Sequence, residues 1–213
     1  DLRKEFKKNI IDYFINSYLS GITPNPCIFC NPAIKFGSLF EKITALGFEK
    51  LATGHYANIV NSHYGFVLKK GIDSVKDQSY FLSRIKKNLL QHLLFPLGNM
   101  TKTEVRDYMN GKGLFFSDKE SQEICFIPDN DYVNFILKNS GPILSGNFTS
   151  ESGKVIGKHN GIPFYTIGQR RGIGISLGKP GYVRKINVED NSIEIGDKLF
   201  TDEFLITDFS VNF

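Results

Sequence analysis

Apolar residues at Leu2, Phe6, Ile10, Tyr13 and Phe14 recur at the spacing of one helical face, predicting an amphipathic helix to Tyr18 that Gly21 and Pro24 end. A Pro-rich turn follows. Asn31 then reads as an N-cap with Pro32 at the first helical position, where a missing N–H costs nothing. Phe36, Leu39, Phe40, Ile43 and Leu46 mark the buried face of this second helix, and Gly47 closes it. Phe48 to Thr53 predicts a short buried strand leading into Gly54-His55, so helix, glycine, strand and loop follow in the order of an α/β unit. Ligands of such sheets bind at carboxyl strand ends. Tyr56 to Val60 and Tyr64 to Leu68 predict a hairpin around Asn61-Ser62-His63, and Gln78 to Leu94 predicts a helix. Thr101 with Glu104 forms a capping box that opens a further helix to Met109.

The pattern changes after about Ser140. Ten of the chain's 20 glycines lie between Gly141 and Gly181, and the strand-like pieces Pro163 to Ile167, Tyr182 to Val188 and Ser192 to Ile195 lie among them. The expected organisation is a partial α/β domain over residues 1–128 and a small β-rich domain over 129–201, joined around Asp118 to Asn130. With 41% apolar and 23% charged residues in 213, disorder and fibrous repeats do not fit. No apolar run approaches the roughly 18–20 residues of a membrane span, and the charged start from Asp1 to Lys8 is unlike a signal peptide. A soluble, cytoplasmic protein is expected. The first residue is not Met and falls within a helical pattern, which suggests a piece of a longer protein.

Three cysteines carry the first candidate chemistry. Cys27 and Cys30 form a C-x-x-C, whereas Cys125 stands alone beside Ile124, Phe126 and Ile127. A zinc site needs four ligands, and the four histidines supply no second close pair, so no metal is expected. The alternative for each cysteine is burial as a small hydrophobe, and for Cys125 the apolar neighbours make burial the default. Cys30 precedes the predicted N-cap, where unpaired N–H groups and the helix dipole favour a thiolate.

Charge carries the second signal. The net charge is +4, yet between Ser152 and Val188 there is no Asp or Glu, while Lys154, Lys158, Arg170, Arg171, Lys179, Arg184 and Lys185 supply seven positive charges. This stretch is either a solvated loop or a nucleic-acid contact whose glycines let backbone and Arg170-Arg171 approach phosphates. Gly172 to Gly178 has the wrong spacing for a dinucleotide fingerprint, and no helix follows it. His55 reads either as a packed histidine or as a neighbour of a site at the strand end.

Six segments, in order, resemble the tRNA-specific 2-thiouridylases. They are Thr23 to Asn31 with Ile34 to Gly37, Ala52 to Ala57, Lys76 to Leu82, Phe95 to Gly98, Glu120 to Ile127 and Tyr165 to Arg170. The resemblance implies an ATP-pyrophosphatase-type, Rossmann-like domain, then a central β domain and a C-terminal β-barrel beginning near Asp202. It implies that Cys30 is the nucleophile and Cys125 the persulfide carrier, the two forming a disulfide after transfer. It further implies that Asn25, Pro26 and Cys27 touch the target base, that Gly54 binds ATP, and that Lys76, Asp77 and Gln78 contact tRNA. ATP with magnesium, tRNA and a sulfur-donor protein are the expected cofactor and partners.

Two departures qualify this. The family's Ser-Gly-Gly-x-Asp-Ser phosphate loop falls before Asp1, so this stretch alone is not expected to activate tRNA. Some members carry Asp where this chain has Cys27, so an acid/base role does not transfer to that thiol. The rival readings are a thiol-disulfide oxidoreductase on Cys27 and Cys30, and a non-catalytic RNA-binding module.

If the basic segment holds RNA, neutralising Arg170 and Arg171 lowers the slope of log affinity against log salt by roughly 0.7 to 0.9 for each phosphate left without its cation. An unchanged slope in a tRNA-binding titration identifies a solvated loop instead.

Overall fold

The computed structural model describes residues 1–114, 124–175 and 181–197. Their contacts divide them into two units, one from residues 1–10 and 26–114, the other from 11–25, 124–175 and 181–197. The division falls inside the first helix, α1, which runs through Arg3–Phe6, a π-helical stretch Lys7–Ile11 and Asp12–Leu19. Of the predicted stripe, Ile10 and Phe14 are buried while Leu2, Phe6 and Tyr13 are half-buried; Ile15 and Tyr18, which the stripe did not include, complete the buried face.

In the first unit, helix α2 starts at Pro26, five residues before the expected cap. It comprises Pro26–Cys30 and a π-helical stretch Asn31–Ser38, is kinked at Gly37, and leads into α3, Leu39–Ala45. Pro26, not Pro32, takes the first helical position. Pro32 therefore lies inside the helix, where it lacks a donor and its ring crowds the preceding turn. The wider π-turns absorb this conflict, and Gly37 fits because a Cβ there would stand 2.6 Å from the Pro32 carbonyl oxygen. At the far end Gly47, with φ +90°, and Phe48 donate to the carbonyls of Thr44 and Ile43, the paired bonds of a Schellman cap.

The strand after this cap is shorter than expected. Only β1, Leu51–Ala52, pairs, in parallel with β4, Leu93–Leu94, and Phe48 is exposed. Between them, β2 (Ala57–Ser62) and β3 (Gly65–Lys70) form the hairpin, its turn two residues later than predicted at His63-Tyr64. The predicted helix from Gln78 to Leu94 breaks into α4, Ser79–Leu82, a 3₁₀ segment Lys87–His92, and β4. Apolar periodicity misled here because Leu82, Ile85, Leu90, Leu93 and Phe95 all reach one core, shared with Phe36, Phe40 and Ala57, without being on one helix. Burying each large side chain contributes about 1.5–3 kcal/mol. Helix α5, Lys102–Gly111, starts at the predicted capping box: Thr101 accepts from the Glu104 N–H, and the Glu104 carboxylate accepts from the Thr101 N–H at 2.7 Å.

In the second unit, the end of α1 packs on an unpredicted helix α6, Tyr132–Asn139, whose cap Asp131 accepts from the Asn134 N–H. Phe14 meets Phe126 and Phe135 edge-on, and Tyr18 stacks on Tyr132. The sheet follows as β5 (Gly146–Ser150), β6 (Val155–His159), β7 (Tyr182–Asn187) and β8 (Ser192–Gly196), in spatial order β6-β5-β8-β7. It is two antiparallel hairpins joined by a parallel β5–β8 pair. Residues 163–167 are not the predicted strand, because Pro163 sits in a 3₁₀ turn, Ile162–Phe164. His159 is buried against Phe148 and Tyr165. It accepts from the Gly161 N–H and faces the Asn191 carbonyl at 3.1 Å, so its neutral form satisfies both ring nitrogens. The expected barrel start near Asp202 lies outside the described residues.

Gly98 belongs to the Phe95 to Gly98 motif. Its carbonyl accepts from Ile72 N–H and Asn58 Nδ2, and a Cβ there would overlap the Ala57 carbonyl. Gly98→Ala therefore lowers stability by about 1–3 kcal/mol in urea unfolding. Gly111→Ala, in a helix with open space around it, raises stability by about 0.5–1 kcal/mol. Equal effects of the two would refute this account of the packing.

Candidate functional site

The first unit brings several predicted site residues into one hydrogen-bonded assembly. Cys27 is exposed in the first turn of α2, Cys30 is half-buried one turn later, and neither is in a disulfide. The expected dipole effect at Cys30 is thereby corrected. The positive end of a helix acts within its first turn, so it favours a thiolate at Cys27 more than at Cys30.

The residues flanking Cys30 are both tied to α4 and the turn after it. The Phe29 ring lies under the Arg84 guanidinium, 4.7 Å from the centroid. Asn31, only 2% exposed, donates from Nδ2 to the Phe81 carbonyl at 2.8 Å, and its buried Oδ1 has no partner. Helix α4 is in turn fixed to the strand-end loop. Gln78 donates from its N–H to the Tyr56 carbonyl and accepts the Tyr56 N–H at Oε1, at 2.9 and 3.0 Å. Asp77 accepts from the Ser79 hydroxyl at 2.6 Å and the Gly71 N–H at 2.8 Å; partial burial raises its pKa, but these bonds win and hold it below the usual range. Asp77 and Gln78 thus spend their side chains on the fold, while the half-exposed Lys76 stands beside them.

Gly54 is exposed at the carboxyl end of β1, and a Cβ there would touch only Leu97, at 3.6 Å. Its backbone is open to solvent there. Next to it His55 is buried, packed against Phe36 and Phe95, with Nδ1 2.7 Å from the Thr53 hydroxyl. Burial, assisted by the positive Lys35, lowers its pKa to about 4. Among the described residues, no three His, Cys, Asp or Glu side chains group to hold a metal ion.

The second unit holds the remaining predicted residues. Cys125 is exposed, contrary to the burial expected from its neighbours. It sits in a turn closed by Ile127 N–H to the Ile124 carbonyl, and Phe126 and Ile127 take the apolar contacts that its sequence neighbourhood suggested for it. Residues 115–123, which include the first part of its motif, lie outside the described residues, as does Lys179.

Arg170 and Arg171 are exposed on a loop anchored to β7 by Gly168 N–H to the Val183 carbonyl and Val183 N–H to the Gln169 carbonyl. Gln169 braces the loop from within, through Thr166 N–H and the Arg171 carbonyl. Thr23 donates its hydroxyl to Thr166 at 2.9 Å, so the chain leading to Asn25 is tied to the loop carrying both arginines. Sequence reasoning missed this clasp, since neither threonine stands out in composition. Arg184 belongs elsewhere: it pairs with Glu151 at 2.8 Å, so the acid-free segment is partly neutralised from outside itself.

This architecture is that of an α/β domain followed along the chain by a small β-rich domain, and the comparisons agree. Residues 1–129 match the tRNA methyl transferase HUP domain and residues 133–197 the tRNA methyl transferase PRC-barrel domain, so the chain belongs to this family of tRNA-modifying proteins. Among individual relatives, it is 46% identical to tRNA-specific 2-thiouridylase MnmA 2 of Clostridium botulinum strain Loch Maree, over the whole chain and 61% of that protein. It is 45% identical to tRNA-specific 2-thiouridylase MnmA of Carboxydothermus hydrogenoformans, over 99% of this chain and 59% of that one. The chain spans about three fifths of the length of the curated relatives it matches. No helix among the described residues is long and apolar enough to cross a membrane.

The His55 shift has a definite sign. An unfolded histidine takes its proton near pH 6.5 and the folded one only near 4, so between these values the unfolded state holds more protons. Its contribution to stability is complete above pH 6.5 and is lost as pH falls toward 4. An NMR titration of the His55 ring checks this, and a midpoint near 6.5 would contradict the packing described.

Proposed function

We propose that the protein of which this chain is part forms 2-thiouridine at the wobble position of tRNA, with Cys30 and Cys125 relaying the sulfur. The observation that carries this reading is the exposure of Cys125 on a turn anchored by its own neighbours, alongside relatives whose names specify 2-thiouridylase. The family label speaks of methyl transfer, but three cysteines outside disulfides, two of them exposed, suit sulfur chemistry better.

A uridine 2-carbonyl is a poor electrophile with a poor leaving oxygen. ATP with its magnesium, when bound, supplies a better leaving group at that oxygen. The exposed backbone at Gly54 is the part of this chain suited to hold the nucleotide. Cys125 receives sulfur from a donor protein as a persulfide, whose outer sulfur bonds to the base carbon as the carbon–oxygen bond breaks and the activated 2-oxygen departs with its leaving group. Cys30, as thiolate, then attacks the Cys125 Sγ. The bond between the two persulfide sulfurs breaks, its electron pair leaves with the thiolated base, and a Cys30–Cys125 disulfide remains for a reductant to reopen. That bond requires the two Cα atoms within about 4.4–6.8 Å during turnover.

Asn25 and Pro26 precede Cys27 at the turn proposed to face the base, with Lys76 and the Arg170-Arg171 loop on the RNA backbone. Asp77 and Gln78 serve by shaping the loop that presents Lys76.

In the full-length enzyme, Cys30→Ser and Cys125→Ser each abolish thiolation, and Cys27→Ser leaves most of it, measured by retardation of thiolated tRNA in a mercury-containing gel. Equal loss in all three variants overturns the assignment of roles.

A further inference from the structure

We propose that α4 and the turn after it form a second RNA-backbone contact surface, built from Tyr80, Arg84 and Lys86. It rests on the tRNA reading above and extends it to residues that the resemblance does not assign.

The sequence carries the first observation. From Gln78 to Thr103 there is no Asp or Glu, while Arg84, Lys86, Lys87 and Lys102 supply four positive charges. It is a second acid-free basic stretch, and unlike the first it belongs to the unit that holds Cys30. Arg84 and Lys86 are both exposed at the surface of this stretch. A polyanion is the partner that such one-signed charge selects.

The geometry adds two further points. Tyr80 is 65% exposed on α4 and stands edge-on to Phe81, so its ring contributes little to the core and is open to a base. Exposed aromatic rings among cations are the recurring composition of surfaces that hold unpaired nucleotides, the rings stacking on bases and the cations tracking phosphates. Arg84 is not a loose cation either. Its guanidinium lies on Phe29, the residue before Cys30, so the charge is held beside the turn where the chemistry is proposed. Asn31 ties the other side of Cys30 to Phe81 in α4. RNA engaged along α4 would therefore grip the element against which Cys30 is braced.

The test is the salt dependence of tRNA binding by the full-length protein. Arg84→Gln and Lys86→Gln each lower the log–log slope by roughly 0.7 to 0.9, the change expected for one phosphate. Tyr80→Ala leaves the slope unchanged and weakens binding about fivefold or more, while Tyr80→Phe binds as the parent does. Lys42→Gln, an exposed cation on α3 with the same change in net charge, keeps the parent slope. If Arg84→Gln and Lys86→Gln keep the parent slope while Arg170→Gln flattens it, the surface on α4 is refuted and the proposed function stands. Should the unaltered protein show no salt-dependent tRNA binding, both fall together. Circular dichroism of each variant confirms that these exposed substitutions leave the fold intact.

Discussion

The buried amide of Asn31 is the contact on which the first unit's geometry turns. Its Nδ2 reaches from α2 to the Phe81 carbonyl of α4 at 2.8 Å. In a buried setting, removing one partner of such a bond leaves the other unsatisfied, which costs about 1–3 kcal/mol rather than the smaller net worth of the bond. That penalty fixes where α2 lies against α4, and with it the orientation of the turn bearing Cys30. Gln78 and Tyr56 are similarly bonded to each other, so the turn bearing Cys30, the backbone beside Gly54 and the Lys76 loop belong to one hydrogen-bonded body.

Much of this was legible in the sequence, where local chemistry has a single outcome. The Thr101–Glu104 box and the Gly47 cap depend on residues a few positions apart, and each formed where the pattern put it, whereas the α1 stripe is buried only at Ile10 and Phe14 of its five predicted positions. The errors came where distant packing overrode a local signal. Pro32 looked like a helix start because proline is common there, but Pro26 claimed that position and the π-turns made room for the second proline. Gln78 to Leu94 looked like a helix because its leucines face one core, yet they reach it from three different elements.

The candidate site divides in the same way. Cys27, Cys30 and Cys125 were recognisable as residue types in motifs, whereas their exposure was not. The apolar neighbours of Cys125 suggested burial, yet in the fold Ile127 is buried and Ile124 and Phe126 pack partly buried around it, while the cysteine itself is exposed. The Thr23–Thr166 clasp joins residues far apart in sequence through two ordinary hydroxyls, and no spacing rule could have found it. The stack of Arg84 on Phe29 had a readable half, the acid-free stretch around it, and a half that only three dimensions supply.

The interleaving of the two units sets an order for folding during synthesis. Phe14 in α1 finds Phe126 and Phe135 only after all the intervening residues of the other unit have been translated, at about 5–20 residues per second. Until then residues 11–18 lack the partners they have in this fold, Ile127 and Ile136 among them. For those several seconds the packing of Phe14 on Phe126 and Phe135 is unmade, and the turn presenting Cys125 takes its final shape only when that wait is over.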